Sequence, residues 1–592
     1  MHTMKTKLLL SFLVVALCGA TLLAQDYTHA VLRISDNGDT LVIKPTSLGG
    51  GINCVFYAIM GDTASNGSRL NPDRIYKTVR GGVYIYDGPA NLDNTVPNVQ
   101  IVADDGTNQP PLHIKTVNSS GSITRAMFAY YGDMYFKNQY LSNAATNNAL
   151  DRGMFDTKGS GQTLTFDNCV IEMTDWTIIM NWAVGLSVKM TNCFVHNIGK
   201  EPTLEKGVLI DGQSSMPSVY MENNTFIDIG YIIWRRVSYG VGDFYFNHNT
   251  VVNSFQNPFQ FYTQAYQIMT NNLFINTGVV PDYPGFYPGM QDEDGLPKGI
   301  VNIDTVEAAM KTDFWNSAYP VATEADRKML VQHNNAWWND KFVTMLASQM
   351  TAPAGGNTWA SQMITMNSRT KAMFDDDVAY PYLVESDWLN IEPDFTAGIP
   401  TSIDDELVQF VITNCNPANP AGGNRCPIWR THIETDITIV DWPILADLSY
   451  SNATLKTAAV GQLPLGDLNW FPDAKATWEG MNESATLIAA RDAGTGISGV
   501  TDTKTDFGNN IEVLPNPVKE LALVKFNLVK SSEVQFIIYN LSGQKLQVTT
   551  ANFNAGANEY QLDISGLESG VYILQLNTNY NYAGLTTRLS VL

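Results

Sequence analysis

One phrase recurs between Phe166 and Gly278, and it limits what the rest of the chain can do. It reads Phe-Asp-Asn-Cys-Val-Ile from Phe166, Met-Thr-Asn-Cys-Phe-Val from Met190 and Met-Glu-Asn-Asn-Thr-Phe from Met221. It returns as Phe-Asn-His-Asn-Thr-Val from Phe246 and Met-Thr-Asn-Asn-Leu-Phe from Met269. The starts are 24, 31, 25 and 23 residues apart, and Gly199, Gly230 and Gly278 each follow a Met by nine residues. A short period with strand-like content marks a solenoid, in which each unit buries its apolar side against its neighbours. Stacked strands lie about 4.8 Å apart, so an Asn at one corner can pass amide hydrogen bonds from coil to coil. Such a column satisfies polar groups that are otherwise costly to bury. The Phe or Met before the Asn and the apolar residue after it suit a stacked interior, and the closing Gly suits a positive φ at the next corner. A β-sandwich does not repeat one phrase at one period.

The expected fold is therefore all-β: a right-handed parallel β-helix with helical insertions, followed by a small C-terminal β-sandwich. The coils of the form Asn-Asn-x-Phe-x-Asn-x-Gly, clearest at Asn271–Gly278, resemble the parallel β-helix repeats of the pectate-lyase-like superfamily.

Before the repeats, Lys5 and Lys7 precede the apolar run 8–16 and small residues lead to Ala24, the order of a secretory signal peptide over 1–24. Alternating segments such as Val83–Tyr86 and Val99–Val102 form the lead-in coils. After Gly278, Asp304–Lys311 and Thr323–Val331 carry helix-start signals, and His333-Asn334 then restores the coil phrase. The run Leu463–Pro472 is expected to cap the solenoid, so that the β-helix with its capping and inserted segments occupies 25–490.

A Gly-rich linker follows over 491–510, and a compact all-β segment over 511–592. Its Pro515-Asn516-Pro517 opening, Tyr539-Asn540 with Gly543-Gln544, and Leu567 with Gly570-Val571-Tyr572 resemble the type A C-terminal sorting domain of the type IX secretion system. That resemblance implies the type IX machinery as partner and a secreted or outer-membrane-surface destination.

Of six cysteines, Cys18 falls in the signal. Cys169 and Cys193 hold equivalent places on successive coils, where parallel Cβ vectors suit a thiol column and not a bond. Cys415 and Cys426 flank a short loop in an exported chain and are expected to form a disulfide, leaving Cys54 buried.

A formal charge of −22 argues against nucleic acid as a partner, while leaving room for a local basic groove that takes an acidic glycan. No zinc-protease His pair, Ser nucleophile elbow or phosphate loop is present. His196, His248 and His333 sit at different places in the phrase and are expected to be separate, hydrogen-bonded residues.

The second strand of each coil is the better place to look. Ile178–Asn181, Val208–Asp211, Ile232–Arg236 and Pro258–Phe261 would project a ladder of Asn181, Asp211, Arg235 and Gln260 from one face. Related β-helix lyases use a Lys or Arg base with a cation on the uronate. By that resemblance Arg235 or Arg236 would be the base, assisted by Lys200 or Lys206, with Asn181, Asp211 and Gln260 on the substrate and calcium on Asp211. A polar ladder that only keeps a strand soluble is the plainer reading. Three functions remain open: a polysaccharide lyase or glycoside hydrolase, a noncatalytic glycan-binding adhesive, and a structural surface spacer. A monomer is expected in each.

Overall fold

The structure, a computed structural model, describes residues 27–592 apart from 36, 65, 67, 93–97, 200–205, 237–239, 261–263, 280–295, 297, 306–322, 350–362, 399–400, 415–431, 434–435, 498–506, 529–530, 541–544 and 579–580. The expected signal peptide, Lys200, Cys415, Cys426 and most of 304–311 lie outside the described residues. Two compact units divide the chain, the first running to Ile497 and the second in the main Ser498–Leu592.

The first unit is a parallel β-helix. Among the described residues it has three sheets of 12, 10 and 7 strands. One coil places Thr163–Asp167 in the first sheet, Val170–Thr174 in the second and Thr177–Met180 in the third. The next repeats this as Ser187–Thr191, Phe194–Ile198 and Val208–Gly212. Like stacks on like: Phe166, Met190, Met221, Phe246, Met269 and Val331 pair in unbroken register along the first sheet. Ile171, Val195, Phe226, Val251, Phe274 and Ala336 do so along the second. All twelve are closed to solvent, and each large side chain so buried is worth roughly 1.5–3 kcal/mol.

The repeated Asn turns the chain between the first and second sheets. Asn168, Asn192, Asn223 and Asn271 sit there at φ of 52°, 56°, 53° and 60°, a left-handed conformation that Asn tolerates better than most residues. His248 and His333 occupy this same corner, at φ of 51° and 53°, so two of the three histidines share one position after all. The residue after the corner points inward and builds the ladder. Asn224 Nδ2 donates to Asn249 Oδ1 at 2.9 Å, Asn249 Nδ2 to Asn272 Oδ1 at 3.4 Å and Asn272 Nδ2 to Asn334 Oδ1 at 3.0 Å. Cys193 and Cys169 continue the column as free buried thiols, and the Cys193 amide donates to Asn224 Oδ1 at 2.8 Å. Cys54 is free and buried as well.

The closing glycine meets its expectation at Gly199 and Gly278, at φ of 128° and 69°, but not in every coil. Positive φ recurs at Asn197, Asp228, Asn253 and Asn276, each two residues before the expected glycine position, whereas Gly230 does not adopt it. Gly230 is needed for space: a Cβ there would lie 2.7 Å from the Ile198 carbonyl oxygen of the coil before.

Thr323–Val331 also departs from its helix signals. The Thr323–Asp326 capping box closes a single 3-10 turn, Glu324–Asp326, and Lys328–Gln332 is a strand. Continuing the apolar column through Met329 and Val331 outweighs the local helix signal, because packing overrides a weak propensity.

The stack is covered as well as filled. Helix Cys54–Gly61 sets Cys54, Val55, Ala58 and Ile59 into the main core near the N-terminal coils. The run Leu463–Pro472 lies along the flank. Gly466 donates to the Asn271 carbonyl, Asp467 to Thr250 Oγ1 and Leu468 to Asn223 Oδ1, so the run crosses three successive corners. Helix Thr401–Asn414 and residues 448–468 bury the outward Ile227, Val252 and Ile275 of the second sheet. Arg491, placed by sequence in the linker, belongs to helix Glu483–Ala493 and grips Asp243 of the first sheet at 2.9 Å.

The second unit is a β-sandwich. Phe507–Leu514, Leu521–Leu528 and Gly556–Asp563 form one antiparallel sheet, and Lys545–Phe553, Ser532–Tyr539, Gly570–Thr578 and Asn581–Val591 the other. Alternation along Leu521–Leu528 and Ser532–Tyr539 turns Val524, Phe526, Val534, Phe536 and Ile538 into a shared core.

Candidate functional site

The outward face of the third sheet brings several of the expected residues into one line. With Phe155, Ile179, Ile210, Trp234 and Phe259 packed inside, their neighbours Asp156, Met180, Asp211, Arg235 and Gln260 form the adjacent in-register column. Asp211 and Arg235 grip one another. Arg235 Nε and Nη2 each lie 3.0 Å from a different Asp211 oxygen, and Gln213 Nε2 adds a third bond at 2.9 Å. Both side chains are buried, where two parallel charge-assisted bonds hold a guanidinium firmly. Gln260 is half-buried beside Arg235.

Of the other expected residues, Asn181 meets that pair through its backbone alone, its amide donating to the Asp211 carbonyl at 3.2 Å. Asn181 is buried just beyond strand Thr177–Met180 and donates to the Ser214 carbonyl at 2.8 Å. Lys206 reaches Asp175 at 3.5 Å at the corner that leads into the third sheet. Arg236 ends strand Ile232–Arg236, and its side chain is not among those described. No group of three or more His, Cys, Asp or Glu side chains is placed to hold a metal ion among the described residues.

Two arginine–tryptophan pairs flank the face. Arg125 lies 5.5 Å from the ring centroid of Trp182 on the edge toward the first sheet, and Arg152 lies 4.9 Å from Trp176 on the edge toward the second. Between them Asp156 takes Lys158 at 2.7 Å and Arg125 at 3.5 Å. These residues carried no repeat signal, because the corners that hold them vary in length from coil to coil.

A second polar cluster lies on the outward side of the second sheet. Glu172 and His196 stand side by side on adjacent strands, 3.2 Å apart. His432 arrives from a distant segment and bonds the other Glu172 oxygen, while Tyr140 Oη donates to Glu172 Oε2 at 3.1 Å. Burial pushes the Glu172 carboxyl up, but the charges and hydrogen bonds of His432, with His196 behind them, outweigh it and hold the group at about 2. Burial pulls His196 down to about 4. It pulls on His432 too, yet Glu172 overcomes the pull and His432 ends above its ordinary value. The result is one imidazole held toward its neutral form and one toward its charged form against a single carboxylate. Their sequence separation hid this cluster from the repeat pattern.

Residues 512–588 match the family model of the secretion system C-terminal sorting domain, over the sandwich just described. The chain ends in a type IX sorting domain. It is therefore an exported protein of the cell surface or medium, and its sandwich is the part that engages the type IX machinery. No curated protein and no solved structure matches the chain.

Proposed function

We propose that the β-helix is the cargo and that it binds an extracellular polysaccharide along the outward face of its third sheet. The observation that carries this reading is the pair of margins Arg125–Trp182 and Arg152–Trp176 on either side of the Asp156–Met180–Asp211–Arg235–Gln260 column, whose buried members fix the strands and whose Gln260 is half-buried. Polar hydrogen-bonding groups fixed on rigid strands, with aromatic rings at the margins, are what an extended sugar chain requires of a protein surface. The pectate-lyase-like resemblance of the coils points the same way.

Binding is favoured over turnover. A lyase base must reach the proton that it removes, and Arg235 is committed through two bonds to Asp211. Catalysis on this face would fall to Arg236 or to Lys206 and Lys200, and a calcium ion on Asp211 would have to compete with Arg235.

The test is a panel of soluble anionic and neutral polysaccharides presented to the purified exported protein. Retardation in polysaccharide-containing native gels reports binding, and ultraviolet absorbance of unsaturated uronides reports lyase turnover. Binding without absorbance is expected. Failure to bind any member would return the β-helix to the role of a structural spacer.

A further inference from the structure

Large apolar side chains are hidden almost everywhere along the described coils from Ala126 to Ala336. Tyr131, Trp182 and Val184 are the exceptions, with 46%, 43% and 59% of their surface exposed. All three occupy the corner that joins the third sheet to the first, Trp182 and Val184 on one coil and Tyr131 two coils before it. Isolated exposed apolar residues need no explanation, but a cluster with an indole at its centre marks a contact surface.

The indole is displayed from a fixed backbone. The Trp182 amide donates to Thr157 Oγ1 at 3.0 Å, the Ala183 amide donates to the same oxygen at 3.2 Å, and the Trp182 carbonyl accepts from Ser214 Oγ at 3.1 Å. Thr157 is itself held through its hydroxyl to the Met180 carbonyl at 3.1 Å. The backbone that carries the ring is thus held from the coils on both sides, so little backbone freedom remains to be lost on binding.

The charge beside it is positive. Arg125, over the ring, and Lys158 both address one oxygen of Asp156, and their side chains are 42% and 40% exposed. Two cations on one carboxylate leave a net positive spot in a chain of formal charge −22. Half-exposed ion pairs of this sort are worth only about 0–1 kcal/mol, so either cation can turn to a ligand anion at small cost.

We propose that this corner is an anchoring subsite for one residue of an acidic polysaccharide, deepening the binding reading above and resting on it. The sugar's anionic group is held by Arg125 and Lys158 through charge-assisted hydrogen bonds, while its C–H face lies on the free surface of Trp182. Carboxylate and sulfate share this chemistry.

The experiment measures affinity of the purified full-length exported protein for polygalacturonate, dextran sulfate and neutral dextran. It compares wild type with Trp182→Ala, the double variant Arg125→Gln/Lys158→Gln, and Asp156→Asn, with thermal unfolding as the check on folding. Wild type is expected to bind one or both polyanions and not dextran, the two polyanions telling carboxylate from sulfate. Trp182→Ala and the double variant should each bind at least about tenfold more weakly with unchanged unfolding, because each removes about 1.4 kcal/mol or more of contact. Asp156→Asn, which frees both cations, should bind more tightly, a result that a merely structural role for the corner would not give. Undiminished polyanion binding by both Trp182→Ala and the double variant overturns the subsite and leaves the third-sheet reading standing. Equal binding of dextran overturns the acidic class. If wild type binds none of the three, the polysaccharide reading falls and the subsite with it.

Discussion

His432 and Glu172 are 260 residues apart in sequence and bond directly on the outward side of the second sheet, both shielded from solvent. Through this bond, and through the His432 Nδ1 hydrogen donated to the Ile437 carbonyl at 2.8 Å, the strap Asp436–Val440 is fastened to the coils. Ile437 and Val440 then cover Tyr140, Val170 and Met173.

Removing one member of a buried pair leaves the other charge without compensation, a loss of about 3 kcal/mol or more. His432→Gln is therefore expected to loosen the strap before the coils. Amide exchange at Ile437 and Val440 should accelerate at least a hundredfold while Val195 and Phe226 stay protected. Equal acceleration at both would show that the pair supports the whole stack and not the strap.

The same pair sets a pH dependence. Glu172 sits at about 2 against an ordinary 4.5, so its contribution is complete above 4.5 and is lost as pH falls toward 2. His432 is raised above 6.5, so its contribution is complete below 6.5 and is lost as pH climbs through the raised value. His196 runs the other way: held at about 4, it costs stability as pH falls from 6.5. On the alkaline side only His432 of the three changes charge. The unfolding temperature of wild type should fall as pH rises above 6.5, and His432→Gln should flatten that decline. A parallel decline in both proteins would place its cause elsewhere.

Asp467 adds a second decline with rising pH, in a lower window. Burial pushes its carboxyl up to about 6, against bonds from the Asn469 amide and Thr225 Oγ1 that favour the ionised form. A raised carboxyl pKa means that stability is lost as pH rises from 3.8 to about 6. Asp467→Asn should abolish that part of the pH profile, read by denaturant midpoints across the window. An unchanged slope would show that Asp467 stays ionised when folded.

The ladder should be the most sensitive polar feature of the fold. Asn249 donates to the Met221 carbonyl at 3.0 Å and to Asn272, and it accepts from the Asn224 amide at 3.0 Å. Asn249→Ala strands several buried groups at once, and a loss of about 3 kcal/mol is expected in urea unfolding. Thr163→Ala, on the partly exposed face of the first sheet, should cost less than about 0.5 kcal/mol. Similar losses in the two variants would contradict the ladder's role.

The coils were legible because each repeats the same local chemistry. An Asn at the corner and an apolar residue on either side suffice to set sheet, register and interior. The positive φ of Gly199 and Gly278 was legible as well, whereas the left-handed Asn197, Asp228, Asn253 and Asn276 beside that position carried no separate signal. The sorting domain was legible from turn residues within some eighty positions. What the pattern could not carry was anything made between distant segments. The Glu172–His432 pair, the Leu463–Pro472 run along the flank and the Arg491–Asp243 bond all join stretches that share no period. The third-sheet column was readable as a ladder, but the mutual grip of Asp211 and Arg235 follows only from their register on adjacent strands.

The central claim is a division of labour, with recognition of polysaccharide in the β-helix and export in the sandwich. One binding titration tests it directly, run on residues 25–497 and on residues 507–592 as separate proteins against the polysaccharide that the whole chain prefers. The β-helix alone should retain the full affinity and the sandwich should show none. Binding by the sandwich, or loss of binding by the isolated β-helix, would contradict the account.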